Sequence, residues 1–236
     1  MKLLQAHLSA LCMTLGYTLP VASSSGETPP TKAEIEEAVA AVSTYEEGQS
    51  RKPQRRVEEL IRQTYGHAEL RGHLEGQMAR WLRSGDATLA GKRLFCEKLH
   101  QIGTDASLGA LKELLLEEAT TEMACYALSS QRSTGASRPL VGALKALRGK
   151  PLIAVVQLVG DRRESQGTEE LSGISESEDG ELAAAAIGAL GKIATPDAVK
   201  VLVDLLEGPN RAQRGAASHA LLQSAQELVE RQLLDG

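Results

Sequence analysis

Four basic side chains are the residues of this sequence best placed to do recognition chemistry. Lys112 and Lys145 end two copies of one tetrapeptide, Gly-Ala-Leu-Lys, that stand 33 residues apart, and Arg162-Arg163 follows. Neither residue type in this pattern suggests proton transfer or nucleophilic attack. Cations repeated in register suit an acidic surface, which they attract through charge and release as salt rises. Taken singly they are a solvated face. Taken together, Lys112, Lys145, Arg162 and Arg163 form a candidate basic ladder for a protein partner.

Other residues that could carry chemistry do not assemble a reactive site. No two of His67, His73, His100 and His219 have the i, i+3 or i, i+4 spacing that places metal ligands on one helical face. Ser175 to Glu181 has the acids and the Asp179-Gly180 pair of a calcium loop, but Ala186 occupies the twelfth position, where a bidentate glutamate is required. Cys96 and Cys125 each precede a repeat leucine by three residues and point the same way, which favours two buried free thiols over a disulfide. Gly72 and Gly76 have the spacing of a close helix contact. Trp81 is expected in the core, and would be a recognition candidate if exposed. No catalytic, cofactor-binding or metal residue is assigned, and an enzyme is not expected.

The elements that position the ladder are legible as a recurrence. Leu99, Ile102, Thr104, Leu108, Leu111, Leu114 and Leu115 return 91 residues later as Leu190, Ile193, Thr195, Val199, Leu202, Leu205 and Leu206. Together with the shorter echo, that offset corresponds to about three units of roughly 30 residues each, the size of a helical repeat. A single such unit cannot bury its own apolar face, so units stack and cover one another. The low aromatic content, 3%, agrees with helices packed through small side chains and argues against sheets.

Helices are expected from Thr31, with Glu34 completing a capping box, and then near Arg51 to Tyr65 and His67 to Leu82. Residues 31–85 thus make an N-terminal helical cap, and 86–236 hold the repeats. Four antiparallel pairs are expected: 88–102 with 105–117, 121–129 with 137–147, 151–159 with 168–174, and 181–194 with 196–207. Gly103 and Gly160 end first helices at matching places, which suggests residues adopting positive φ. The acidic stretch from Glu164 to Glu181 marks the third unit as the loosest. A final helix, 210–234, has no partner after it, which implies a lost continuation, a packing partner or self-association.

Residues 1–24 read as a secretory signal: Lys2, an apolar run without other formal charge, then Pro20 and small residues that favour cleavage after Ser23 or Ser24. Residues 25–30 are a linker. Gln5, His7, Ser9, Thr14 and Thr18 dilute the run, which is short for a stable membrane span. Export to the periplasm or the extracellular space follows as an expectation. Net charge, -5, has the wrong sign for a nucleic-acid binder.

The chain resembles the HEAT-like repeat proteins, specifically the short bacterial type also named for phycobilisome lyases. The resemblance rests on Leu99-x-x-Ile102-Gly103-Thr104, Val156-x-x-Val159-Gly160-Asp161 and the run from Ala183 to Ala194. Ser50-Arg51, Phe95-Cys96 and Met123 to Leu128 look like exported bacterial relatives. The resemblance implies an all-α, right-handed α-solenoid of antiparallel helix pairs, acting as a non-enzymatic scaffold that binds a protein on its inner curve. A bilin lyase is the alternative, but no chromophore-handling cysteine or aromatic cluster accompanies the resemblance. HEAT-like hydroxylases hold two irons through His-Glu dipeptides, and none of the four histidines above is followed by glutamate.

Overall fold

The computed structural model describes residues 28–131 and 134–235. The signal and most of the linker read from residues 1–27 lie outside them. Twelve α-helices, three 3-10 turns and no strand are found among the described residues. Three helices occupy the segment expected to be the cap: α1 (Lys32–Ser43), α2 (Lys52–Gln63) and α3 (Ala68–Arg83). The repeats follow as α4 (Leu89–Ile102), α5 (Leu108–Leu115), α6 (Thr121–Ser129), α7 (Ser137–Ala146), α8 (Gly149–Asp161), α9 (Thr168–Ser175), α10 (Gly180–Ile193), α11 (Pro196–Glu207) and α12 (Arg211–Asp235).

Helix starts follow local chemistry. The Thr31 hydroxyl accepts from the Glu34 amide while the Glu34 carboxylate accepts from the Thr31 amide, a complete capping box. Thr88 and Thr195 cap α4 and α11 through the amides of Gly91 and Ala198. Pro196 occupies the first turn of α11, where its missing N–H has no helical partner to lose.

Periodicity then selects the buried stripe. Leu99, Leu111, Leu190 and Leu202 are all fully buried, so these two pairs of the 91-residue recurrence occupy equivalent core positions, whereas Leu115 is buried and its counterpart Leu206 is exposed. One apolar cluster runs from Ile35 in α1 to Ala220 in α12, and the cap is therefore continuous with the repeats. Two polar contacts pin that joint. Buried Glu75 accepts from the Thr104 amide at 2.7 Å and its hydroxyl at 2.9 Å, and Lys98 meets Glu58 at 2.8 Å.

The stacking is a solenoid with a specific pairing. First helices α4, α6, α8, α10 and α12 pack side by side, and α5, α7, α9 and α11 form a second layer. Each second helix lies most closely on the first helix of the next unit, as α5 on α6, α7 on α8 and α9 on α10.

Two expectations are corrected. Neither Gly103 nor Gly160 takes positive φ: Gly103 is extended, at φ −62°, and Gly160 stays helical. Gly160 instead permits close approach, since an added Cβ would lie 2.7 Å from the Ala189 Cα. Positive φ falls on Arg163, Ala194 and three other glycines. Gly72 and Gly76 face open space and make no close helix contact. The third unit is anchored by fully buried Leu171 and by Gly167, tucked against Val159 and Leu144.

Candidate partner-binding groove

The second-helix layer carries a groove of ≈ 630 Å³ between α5 and α7. In α5 the inward residues are Ala110, Leu111, Leu114 and Leu115, and in α7 they are Leu140, Ala143 and Leu144. Helical spacing therefore turns Lys112 and Leu116 outward from one side, and Arg138, Val141 and Lys145 from the other. These five residues line the groove with Pro139. Three cations thus surround an apolar floor on which Leu116 is 44% exposed.

The two lysines expected to share a face do line one groove, and the two arginines do not join them. Lys145 lies 2.8 Å from Glu170 of α9, and the hydrogen bond to that carboxylate raises its pKa above the ordinary lysine value. Arg162 is internal, with its side chain only 9% exposed. Its Nε donates to Glu164 at 2.8 Å, and its guanidinium donates to the backbone carbonyls of Leu128, at 2.8 Å, and Gln131. Glu164 in turn accepts from the Ser137 hydroxyl. Arg162 therefore ties the C-terminal end of α6 to α7 and α8. Arg163, in the left-handed region at φ 55°, pairs with Glu227 on α12.

Arg138 was missed, although the signal is visible: it precedes Lys145 by seven residues, which sets both on one helical face.

Several other candidate residues hold structural positions. Burial pushes both thiols, Cys96 and Cys125, up to about 12, which suppresses the reactive thiolate. His100 stacks on Tyr126 at 4.4 Å, and His73 meets Glu36 at 3.0 Å. Asp179 caps α10, accepting from the amides of Glu181 and Leu182. No group of three or more His, Cys, Asp or Glu that could hold a metal ion occurs among the described residues. Trp81 is half-buried against the core. No described helix is long and apolar enough to cross a membrane.

Residues 149–222 match a family model described as HEAT repeats. Those residues carry HEAT repeats. None of the curated proteins matches its sequence. Among solved structures, lipovitellin is similar at 17% identity with a TM-score of 0.59 over 89% of this chain and 25% of that one. The chain thus spans a quarter of lipovitellin's length, and the likeness shows the fold alone. Human deoxyhypusine hydroxylase is 14% identical, with a TM-score of 0.47 over 83% of this chain and 97% of that chain. A designed armadillo repeat protein is 15% identical, with a TM-score of 0.44 over 80% of this chain and 99% of that chain.

Proposed function

We propose that this protein is an exported, non-enzymatic scaffold whose second-helix layer receives an acidic segment of a protein partner. The repeat architecture supports a protein-interaction solenoid. One observation carries the finer reading: Lys112, Arg138 and Lys145 converge on a groove floored by Leu116, Pro139 and Val141. Such a groove suits carboxylates flanking an apolar side chain, the charges setting approach and register and the floor supplying burial. A bound carboxylate competes with Glu170 for Lys145. Export rests on the signal-like residues 1–24.

Screening a displayed peptide library against the protein tests the groove. Enriched peptides should combine acidic and apolar residues, and Lys112→Glu with Lys145→Glu should slow their association most at low salt, with folding intact because both side chains are exposed. Association unchanged by that double reversal across a salt series would reject the groove. N-terminal sequencing of the secreted protein should begin near Ser24 or Ser25. Intact Met1 confined to the cytoplasm would reject export.

A further inference from the structure

Among the described residues nothing covers the outer face of α12, which carries a stripe with a defined pattern. Ala217, Ala220 and Ser224 are buried toward α10, and the Ser224 hydroxyl donates to the Gly191 carbonyl at 3.0 Å. On the opposite side Gly215, Leu222 and Val229 recur every seven residues, with Ser218 and Ala225 between them, and all five are exposed. Leu222 is 66% and Val229 55% exposed. A seven-residue alternation of this kind is the seam one helix offers another.

The repeat register restricts what can cover the seam. Gly160 and Gly191 stand 31 residues apart at two close helix joints, where an added Cβ would lie 2.7 Å from Ala189 and 2.9 Å from Ala220 respectively. The next position in that series is Leu222. A helix approaching α12 as closely as α12 approaches α10 would collide with that side chain. The seam instead suits a helix at the wider spacing of about 8–10 Å, set by larger side chains.

Charge then selects the orientation. Arg211 lies in the first turn of α12 and Glu230 near its other end, both exposed. At a rise of 1.5 Å per residue they lie about 16 Å and 12 Å to either side of Leu222. Two copies of α12 laid antiparallel about an axis near Leu222 set Arg211 of each within side-chain reach of Glu230 on the other. A parallel arrangement puts like charges together. We propose that the outer face of α12 is a self-association surface, on which two copies of this chain pair antiparallel about a twofold axis at Leu222. The contact is isologous, so it closes at two copies.

Sedimentation equilibrium of the purified protein over a concentration series tests this. A monomer–dimer equilibrium is expected with its midpoint at roughly 10–100 µM, because a single-helix strip falls short of the ~800 Å² per partner of a standard interface. Leu222→Glu, at a side chain that supports little of the fold, should abolish the dimer while circular dichroism stays unchanged. Glu230→Arg should weaken it several-fold, and Arg211→Glu combined with Glu230→Arg should restore it. A monomer throughout that range, a dimer that persists in Leu222→Glu, open-ended growth, or failure of the double swap to restore pairing would each overturn the proposal.

Discussion

Gly160 and Ala189 are locked together by the absence of a side chain: an added Cβ on Gly160 would lie 2.7 Å from the Ala189 Cα and 2.9 Å from its Cβ. The relationship recurs 31 residues on between Gly191 and Ala220, so the α8–α10 and α10–α12 joints are built alike. Small residues at equivalent positions let helices approach more closely than branched side chains allow, and the gain is dispersion contact over the whole joint.

Gly160→Ala should therefore destabilise the protein by about 1–3 kcal/mol through overpacking. Gly188→Ala, in the same layer but with open space at its Cβ position, should stabilise by about 0.5–1 kcal/mol through the lost flexibility of the unfolded chain. Urea unfolding of both variants measures the contrast, and equal effects would show that the approach at Gly160 is not tight.

Leu111 and Leu202 occupy equivalent, fully buried positions in α5 and α11. Truncating either to Ala should cost about 2–5 kcal/mol. Because each unit touches mainly its neighbours, hydrogen exchange should accelerate first in the adjacent helices and last at the far end. Acceleration confined to the mutated helix in both variants would contradict that coupling.

Arg162 and Arg163 are adjacent in sequence and should differ sharply in consequence. Arg162→Ala leaves two carbonyls and Glu164 without their buried donor, and should cost about 2–4 kcal/mol. Arg163→Ala removes a half-exposed pair with Glu227 and should cost no more than about 1 kcal/mol. Thermal denaturation of the two single variants would separate them.

Acid should loosen the joint between cap and repeats. The hydrogen bond from Lys98 holds the Glu58 carboxyl below its ordinary value of 4.5. The folded state thus binds a proton there less readily than the unfolded chain, so this contribution is present above pH 4.5 and fades as pH falls through the depressed folded value. Lys98→Met should cost on the order of 1 kcal/mol near neutrality. Its melting temperature should converge on that of the wild type in acid, and a gap that stays constant with pH would count against the pair.

The all-helical solenoid, its repeat register and its helix starts were legible in the chain. Leucines at 99 and 190 and at 111 and 202 report burial by periodicity, and Thr31, Thr88 and Thr195 report helix entry by local hydrogen bonding; both are short-range effects that neighbouring residues dictate. What each unit packs against was decided only in three dimensions. The place of α5 on α6, the closeness at Gly160 and the empty space at Gly72 and Gly76 depend on helices distant in sequence. The basic residues divide the same way. Lys112 and Lys145 lie on exposed faces that the repeat predicts, whereas Arg162 turns inward and donates to Glu164 and to the carbonyls of Leu128 and Gln131 in the preceding unit, and Arg163 turns toward Glu227 on α12. A charged side chain's partner is fixed by whichever opposite dipole the tertiary packing brings within reach, and residue spacing alone carries no record of it.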